Sequence, residues 1–354
     1  MNSEKSSSER IVSKQPGTVT SLVTGGAGFL GSHVVDSLLE LGHRVLVLDD
    51  LSGGFRENVN PAATFVEGSI TNPGLVDELF ASYRIDYVYH LAAYAAEGLS
   101  HFIRSYNYTT NLLGSIHLIN NAVRHRCRCF VFSSSIAVYG PGQTPMYESM
   151  APEPEDPYGI SKFAVELDLK AAKRLFDLDS IVFRPHNVYG ERQNIGDPYR
   201  NVIGIFMNQI LQGLPCTIFG DGSQTRAFTH IADVAPVMAR SVYCPKAYNQ
   251  VFNIGADIPY SVNELAREVQ AAMGKNTGIV HLPARKEVLD AFSDHSKARE
   301  VFGISASIPL SEGLRRMAEW VKNVGARQGK PFDNVEIERE LPPSWRQLCL
   351  QEKQ

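Results

Sequence analysis

The stretch Thr24-Gly25-Gly26-Ala27-Gly28-Phe29-Leu30-Gly31 decides the fold of this 354-residue chain. An apolar run at 21–23 comes before it, and a helical pattern at 32–41 follows it. A strand, a glycine turn and a helix start in this order present backbone N–H groups and the positive end of a helix dipole to a pyrophosphate. The spacing Gly-x-x-Gly-x-x-Gly differs from the common dinucleotide fingerprint, so we expect a different local turn with the same role.

A second apolar run, at 45–48, ends in the carboxylate of Asp49. At about 20 residues beyond the glycines, a carboxylate accepts hydrogen bonds from an adenosine ribose and repels a ribose phosphate. No arginine follows immediately to bind such a phosphate. The pattern therefore predicts a site for NAD rather than NADP. The other interpretation, that the glycines only allow close packing of helix on strand, is disfavoured by the flanking pattern.

The composition is typical of a soluble globular protein, with 44% hydrophobic and 20% charged residues. A chain of this length can bury a sizeable core, and two lobes are expected. A formal net charge of −4 gives no electrostatic basis for nucleic-acid binding, so any anionic ligand must be held by local charges. The five cysteines are an odd number without a Cys-x-x-Cys pair, so neither a disulfide framework nor a metal site is expected.

No apolar run reaches the roughly 18 residues of a membrane span. The N-terminal stretch is rich in serine and lacks the apolar segment of a secretory signal. We therefore expect a cytoplasmic protein without a membrane partner, in which residues 1–17 are disordered.

Apolar runs alternate with helical patterns over the first half of the chain. This alternation predicts right-handed crossovers and a parallel, doubly wound α/β sheet of the Rossmann type, with ligands across the carboxyl ends of the strands. The predicted strands are 21–23, 45–49, 64–68, 86–91, 130–132 and 180–184, and the predicted helices are 32–41, 76–80, 101–125 and 158–176.

The alternation of strand and helix loosens beyond residue 190, where a helix at 202–211 and a strand at 217–219 are predicted. This change indicates a second, smaller unit. We expect an NAD-binding domain at 18–190 with a return segment at about 228–256, a mixed α/β substrate-binding lobe formed by 191–227 and 257–330, and a surface extension at 331–354.

Tyr158 and Lys162 stand four residues apart at the start of a predicted helix, so their side chains share one face. A neighbouring cation and the positive nicotinamide ring favour the phenolate of a tyrosine, which makes Tyr158 a usable base near neutrality. Lys162 can also hydrogen-bond the nicotinamide ribose. The strand before this helix ends in serines 133–135, which can polarise a substrate oxygen. This placement disfavours the simpler interpretation, a half-buried aromatic beside a solvated lysine.

These motifs, in this order, resemble those of the extended short-chain dehydrogenases/reductases, and among them the UDP-glucose (UDP-galactose) 4-epimerases. The likeness runs from about residue 19 to residue 327. Besides the glycine turn, the motifs that carry it are Leu48-Asp-Asp-Leu51, His90-Leu-Ala-Ala93, Ser133-Ser-Ser-Ile-Ala-Val-Tyr-Gly140, Tyr158-Gly-Ile-Ser-Lys162, Arg184-Pro-His-Asn187 and Gly220-Asp-Gly-Ser-Gln-Thr-Arg226.

The resemblance implies that the glycine turn binds the pyrophosphate of NAD, that Asp49 binds the adenosine ribose, and that Ser69 and Ile70 lie near the adenine. Epimerases usually have Asp where Ser69 stands, which loosens the adenine contact. The whole set of residues implied to bind NAD is Gly25, Gly28, Phe29, Leu30, Gly31, Asp49, Asp50, Ser69, Ile70, Leu91, Ala92, Ala93, Ser133, Tyr158, Lys162 and Pro185.

The resemblance also implies a nucleotide-sugar 4-epimerase that inverts C4 of a UDP-hexose, such as UDP-glucose or UDP-galactose. Ser135 matches the catalytic Ser/Thr, Tyr158 the base and Lys162 its partner. Tyr158 removes the proton of the sugar 4-hydroxyl, and C4 is inverted through a 4-keto sugar while NAD stays bound. The residues implied to bind substrate are Ser135, Asn187, Arg226, Arg285 and Ala291.

Ala291 matches a position where a bulky tyrosine restricts some 4-epimerases to sugars without an N-acetyl group. Alanine there implies that the pocket also admits an N-acetylated UDP-hexose.

Other activities of the same family stay open. Dehydratases carry an acid pair where Ile136 and Ala137 stand, which disfavours water elimination. UDP-glucuronate epimerases and decarboxylases place an arginine where Asn194 stands, although Arg192 is two residues away. GDP-mannose 3,5-epimerases have a cysteine at the position of Ser135 and are a minor alternative.

A non-catalytic NAD-bound sensor or scaffold is an alternative of another class. The intact Ser135, Tyr158 and Lys162 argue against it. By analogy with the family, helices 101–125 and 158–176 pair across a two-fold axis, which implies a homodimer.

Overall fold

A parallel sheet of seven strands lies at the centre of the fold, in a computed structural model that describes residues 18–142, 144–285, 288–329 and 332–346. Numbered in chain order, its strands from edge to edge are β11 (Gln250–Ile254), β6 (Ser180–Pro185), β5 (Cys129–Ser133), β4 (Tyr87–His90), β1 (Thr20–Thr24), β2 (Arg44–Asp49) and β3 (Thr64–Glu67). Every neighbouring pair is parallel. The predicted doubly wound sheet of the Rossmann type is confirmed. Residues 1–17, for which the sequence predicts disorder, lie outside the described residues.

Helices cover both faces of this sheet, and the remaining strands belong to small sheets beside it. The helices are α1 (Phe29–Glu40), α2 (Pro73–Ser82), α3 (Glu97–Ser100), α4 (Arg104–Tyr108), α5 (Gly114–Arg124), α6 (Pro157–Phe176), α7 (Val202–Leu211), α8 (Ile231–Arg240), α9 (Val262–Met273), α10 (Ser296–Phe302) and α11 (Leu310–Val324). The other strands are β7 (Val188–Tyr189), β8 (Cys216–Phe219), β9 (Thr225–Ala227), β10 (Thr229–His230), β12 (Pro259–Ser261), β13 (Ile279–Leu282) and β14 (Asp290–Ala291).

The starts of the main helices follow from local side chains. Asp156 accepts a hydrogen bond from the Gly159 N–H and precedes Pro157 at the first position of α6. Asn72 caps α2 in the same way, again before a proline. These caps fix where each helix begins, and for α6 this sets the position of Tyr158.

The predicted helix 101–125 differs in the structure. Helix α4 begins only at Arg104, and a π-helical turn, Thr109–Leu113, separates it from α5. The turn contains Asn111, whose side-chain amide bonds both the N–H and the C=O of Tyr94. Turns of this kind are frequent at functional sites. Here it fixes the loop after β4, which faces the site.

Two apolar layers sandwich the main sheet. On one face α1 packs against α8, with Val34, Val35 and Leu38 fully buried. On the other face α2, α5 and α6 cover the strands with side chains such as Phe80 and Leu118. Burial of each such side chain stabilises the fold by roughly 1.5–3 kcal/mol. The segment from α8 to β11 thus packs with the first lobe, although it follows residues of the second in sequence.

The second lobe has its own apolar core. Helices α7, α9 and α11 pack together around Phe206, Leu265 and Leu314, all of them buried. Strand β8 pairs with β13, and β9 lies between β12 and β14. This arrangement brings the strands at 216–219, 225–227 and 290–291 to the side of the lobe that lines the cavity described below. The domain bounds given in the sequence analysis stay predictions.

Candidate functional site

A cavity of about 1340 Å³ lies between the carboxyl ends of the main strands and the second lobe. Each residue that the sequence assigns to NAD or substrate lines it: Gly25, Gly28, Phe29, Leu30, Gly31, Asp49, Asp50, Ser69, Ile70, Leu91, Ala92, Ala93, Ser133, Ser135, Tyr158, Lys162, Pro185, Asn187, Arg226, Arg285 and Ala291. We call the part formed by Gly25, Gly28, Gly31 and Asp49 the glycine side. The part formed by Arg226 and Arg285 is the arginine side.

The glycine turn leaves no room for side chains. Gly25 has a φ of +74°, and a Cβ there would lie 2.7 Å from the Ala92 nitrogen. A Cβ on Gly31 would lie 2.0 Å from the Gly25 carbonyl oxygen. Gly28 is the N-cap of helix α1 and makes no side-chain cap, and the residues of the first turn line the cavity, so the N–H groups of that turn are available as donors for an anion. This cradle fits the pyrophosphate of a dinucleotide.

Asp49 at the end of β2 fixes the shape of this turn. Its carboxylate accepts hydrogen bonds from the Ala27 N–H at 2.9 Å and the Leu51 N–H at 2.8 Å. Burial raises the pKa of the carboxyl group, while these backbone donors oppose the rise. A carboxylate has about four acceptor sites, so Asp49 retains capacity for a ribose hydroxyl. Asp50 is exposed and accepts from Ser52.

The proposed catalytic residues meet where β5 ends and α6 begins. Lys162 is 3% exposed, and its Nζ donates to the Ser133 carbonyl oxygen at 2.8 Å. The same Nζ lies 5.8 Å from the centre of the Tyr158 ring. A hydrogen bond joins the side chains of Ser135 and Tyr158, and the Ser135 hydroxyl also accepts from the Ala137 N–H. The three side chains therefore form one cluster in the cavity wall.

The pKa values of this cluster are dominated by burial. Burial raises the pKa of the Tyr158 phenol, and the hydrogen bond from Ser135 opposes that rise. Burial lowers the pKa of Lys162 to about 7, against the opposing field of Glu166. In the protein alone, burial therefore dominates the pKa of the Tyr158 phenol, whereas the helical spacing predicts that the lysine lowers it. Whether the Tyr158 phenol can act as a base near neutral pH therefore depends on the charges of the ligands that bind beside it.

A buried ion pair that the sequence analysis missed supports the cluster from behind. Glu166 on α6 accepts from Arg184 on β6 at 2.9 Å and 2.6 Å, and from the Ser134 hydroxyl at 2.5 Å. Both charged side chains are almost completely buried, at 3% exposed for Arg184 and 0% for Glu166. The Arg184 guanidinium also stacks on the ring of Tyr139, 4.6 Å from its centre. These contacts hold α6 against the ends of β5 and β6.

The arginine side is built from residues far apart in sequence. Arg226 on β9 donates to the carbonyl oxygens of Thr225, Leu289 and Val288. It pairs in register with Ala291 on β14. Asn187 adopts a φ of +41° and donates its amide to the Ala227 carbonyl oxygen. Backbone carbonyls thus hold both polar side chains at this side of the cavity.

The structure places a further arginine in the cavity wall, and no sequence motif indicates it. Arg200 donates through Nε to Asp197 at 2.6 Å and lies over the ring of Tyr94, 4.9 Å from its centre. Its charge acts to lower the pKa of Tyr158. By contrast, Arg192 pairs with Asp36 on α1 at 2.7 Å, away from the residues that line the cavity. Asn194 does line it.

No helix in the described ranges is long and apolar enough to cross a bilayer. Within the same ranges, no three or more His, Cys, Asp and Glu side chains are grouped so that they could hold a metal ion.

Comparison with known proteins agrees with this geometry. Residues 21–255 match the NAD dependent epimerase/dehydratase family. A putative UDP-glucose 4-epimerase of Methanocaldococcus jannaschii is 38% identical over 307 residues, which cover 85% of this chain and 98% of that protein. The crystal structure of UDP-glucose 4-epimerase from Thermotoga maritima with UDP-glucose has a TM-score of 0.81 at 36% identity, covering 86% of this chain and 99% of that one.

A third similar protein has both ligands bound. The structure of UDP-glucuronic acid 4-epimerase from Bacillus cereus with UDP-glucuronic acid and NAD has a TM-score of 0.80 at 28% identity, covering 86% of this chain and 100% of that one. The names of these similar proteins thus differ in the sugar, UDP-glucose in two and UDP-glucuronic acid in the third. The chain belongs to the NAD-dependent epimerase/dehydratase family, within the extended short-chain dehydrogenases/reductases, and NAD is its cofactor.

Proposed function

We propose that this protein is a nucleotide-sugar 4-epimerase that inverts C4 of a UDP-hexose and retains its NAD. The observation that carries the proposal is the cluster of Ser135, Tyr158 and Lys162, which opens into one cavity with the glycine turn and the second-lobe arginines. Relatives named UDP-glucose 4-epimerase support the choice of reaction.

Each residue has a defined task in this proposal. Bound NAD supplies the reversible two-electron chemistry at the sugar C4. Tyr158 would take the proton of the 4-hydroxyl when C4 is oxidised and return one when C4 is reduced again. Because the oxidation and the reduction of C4 each involve two electrons, no net redox change occurs. Ser135 donates a hydrogen bond to the same sugar oxygen. Lys162 is held by the Ser133 carbonyl where its ammonium can face a ribose hydroxyl and the phenolate.

Substrate binding is assigned to the arginine side. Arg226 and Arg285 supply local positive charge for a diphosphate in a protein whose formal net charge is −4. Asn187 binds on the same side, and Ala291 leaves space for an N-acetyl group on the sugar.

A uronic-acid substrate is the second candidate function, because Arg200 places a cation in the cavity wall near Tyr158. Two points weigh against it. Asp197 already neutralises Arg200. Arg192, the other arginine close to the expected position, pairs with Asp36 instead.

One substrate panel tests the proposal. The purified protein is incubated with UDP-glucose, UDP-N-acetylglucosamine, UDP-glucuronate, GDP-mannose and dTDP-glucose, without added NAD, and the products are identified by NMR. Inversion at C4 of a UDP-hexose is the expected result. A free keto sugar would indicate a dehydratase or oxidase, inversion of UDP-glucuronate alone would establish the second candidate, and no turnover of any sugar would favour a sensor or scaffold.

The base is tested by Tyr158→Phe. Loss of a general base slows turnover by about 10²–10⁴-fold, while NAD binding should stay as it is. Tyr147→Phe, at a tyrosine that is 40% exposed, is the matched control and should keep full activity. Unchanged turnover in Tyr158→Phe would exclude the mechanism.

We further propose a homodimer. Helix α6 and the π-helical turn that precedes α5 expose large apolar side chains, among them Leu113 at 52%, Ile160 at 39% and Leu167 at 48%. A surface of this kind is typical of a protein–protein contact. Light scattering of the purified protein should give twice the chain mass, and a monomeric mass would contradict the proposal. A cytoplasmic location stays a prediction from the sequence.

A further inference from the structure

The segment at 332–346, which we call the C-terminal strap, crosses from one lobe to the other beside the cavity. On the first lobe, Phe332 packs against Tyr94 and Tyr106, with ring centres 5.4 Å and 4.9 Å apart. The Glu336 carboxylate accepts the N–H groups of Ser105 and Tyr106 at the start of α4, at 2.8 Å and 3.0 Å. The strap is therefore anchored to the loop that follows β4.

On the second lobe the strap contacts Tyr199 through a hydrogen bond and a ring contact. The backbone N–H of Phe332 donates to the Tyr199 hydroxyl at 3.0 Å. The ring of Trp345 meets the Tyr199 ring edge-on, with centres 5.3 Å apart. Trp345 is only 3% exposed, and a Cβ on Gly98 would lie 3.3 Å from its ring. The indole therefore fills a closed space between the two lobes.

Trp345 also contacts a residue assigned to the substrate. The Arg285 guanidinium lies 4.5 Å from the ring centre of Phe219 and 5.6 Å from that of Trp345. Stacking between aromatic rings restricts an arginine side chain and is favourable when the ring is shielded from water. Phe219 and Arg285 line the cavity, whereas Trp345 stands behind them.

We propose that Trp345 is a positioning residue for the nucleotide diphosphate: it holds Arg285 in place over Phe219, so that the C-terminal strap completes the arginine side of the cavity. The inference rests on the proposed function, in which Arg285 binds the diphosphate of the substrate. It gives the strap a role in substrate affinity, and none in the chemical step.

The test is a double-mutant cycle on the NAD-loaded protein with UDP as the probe, read by calorimetry. Trp345→Leu keeps an apolar side chain but removes the ring, and should raise the Kd for UDP about tenfold. Arg285→Ala should raise it by at least as much. If Trp345 acts through Arg285, the double variant binds UDP no more weakly than Arg285→Ala alone. Trp345→Phe should recover most of the affinity.

Leu341→Ala is the matched control, because Leu341 is buried in the same apolar cluster at 5% exposed. It should lower the unfolding temperature and leave the Kd for UDP within about twofold. In steady-state assays Trp345→Leu should raise KM with kcat unchanged, as expected for lost ground-state binding. The inference would be overturned if Leu341→Ala and Trp345→Leu raised the Kd for UDP equally. It would also be overturned if the rise in Kd in the double variant equalled the product of the rises in Trp345→Leu and Arg285→Ala.

A fluorescence titration covers the case in which Trp345→Leu does not fold. The chain has two tryptophans, so Trp320→Phe leaves Trp345 as the sole reporter. UDP should change its emission, and Arg285→Ala should remove that change at the same UDP concentration. A change that persists in Arg285→Ala would overturn the inference. Failure of the unmodified protein to bind UDP at all would instead contradict the proposed function.

Discussion

The glycine side of the cavity is made from backbone, whereas the arginine side is made from long side chains. Around Gly25, Gly28 and Gly31 the donors are N–H groups of one turn and one helix start, fixed by Asp49. On the other side, Arg226 is held by carbonyl groups and Arg285 by aromatic rings. A backbone cradle suits a cofactor that all members of the family share. A surface of side chains can change its ligand by single substitutions.

The substitution that should weaken NAD binding at the glycine side most is Gly31→Ala. The new Cβ would lie 2.0 Å from the Gly25 carbonyl oxygen and 2.8 Å from the Gly26 Cα, so the turn must open. Loss of one or two charge-assisted hydrogen bonds should lower the affinity for NAD by about 100-fold. Overpacking should also cost about 2 kcal/mol of unfolding free energy. The NAD content of the purified protein and calorimetry measure the first effect.

Gly74→Ala is the control for that substitution. A Cβ on Gly74 meets only the Asn72 side chain, at an ordinary 3.5 Å. It should leave NAD binding as it is. Retention of NAD in Gly31→Ala would mean that the cofactor does not depend on this turn.

A second large effect, on stability rather than on NAD affinity, concerns the cavity wall behind the Ser135, Tyr158 and Lys162 cluster. Glu166→Gln leaves the buried charge of Arg184 uncompensated and should lower the free energy of unfolding by about 3–5 kcal/mol. Glu319→Gln, at an ion pair with Arg315 on the surface, should change it by less than about 1 kcal/mol. Urea denaturation of both variants measures the difference. Similar small losses would show that the Glu166–Arg184 pair does not support the cluster.

Most of the glycine side could be predicted from the sequence because its contacts are local. The turn at 24–31 and the carboxylate at the end of β2 are set by spacing along one βαβ unit. The same holds for Tyr158 and Lys162, which share a helix with a clear N-cap. Spacing does not report burial, however. The spacing of Tyr158 and Lys162 therefore does not predict that burial raises the pKa of the Tyr158 phenol.

The arginine side depends on contacts between distant residues, which no motif records. Arg200 lies over the ring of Tyr94, which is distant in sequence, and Trp345 contacts Arg285 from beyond the part of the chain that resembles the family. The Glu166–Arg184 pair joins a helix to the next strand, and although Arg184 begins one of the family motifs, no motif indicates that Glu166 is its partner. The predicted helix 101–125 is helical from Arg104 to Arg124, but spacing did not predict its π-helical turn, where Asn111 bonds Tyr94 in the loop after β4.

A smaller effect tests whether Ala291, on the arginine side, leaves space for an N-acetyl group. Ala291→Tyr adds a bulky ring beside Arg226 in the cavity and should lower kcat/KM for UDP-N-acetylglucosamine by about 10–100-fold relative to UDP-glucose. Ala62→Tyr, at an exposed alanine in the loop before β3, is the control and should leave the ratio unchanged. The ratio is measured by NMR with both sugars in one mixture. A parallel loss for both sugars would place Ala291 outside the N-acetyl pocket.

The smallest effect tests whether Lys162, where the two sides meet, is as buried as the structure has it. Burial lowers its pKa from 10.5 to about 7, so between these values the unfolded chain binds the proton that the folded, NAD-free protein lacks. The free energy of unfolding should therefore rise with pH across this window, by up to about 1 kcal/mol per pH unit. Below pH 7 the lysine is protonated in both states, so it should add nothing to the slope. Lys162→Met should remove this rise, whereas Lys322→Met, at an exposed position on α11, should keep it. Urea denaturation of NAD-free protein between pH 7 and pH 9 gives the slopes. Equal slopes in the unmodified protein and Lys162→Met would mean that the lysine stays charged when NAD is absent, and its cation would then be available to Tyr158 before the cofactor binds.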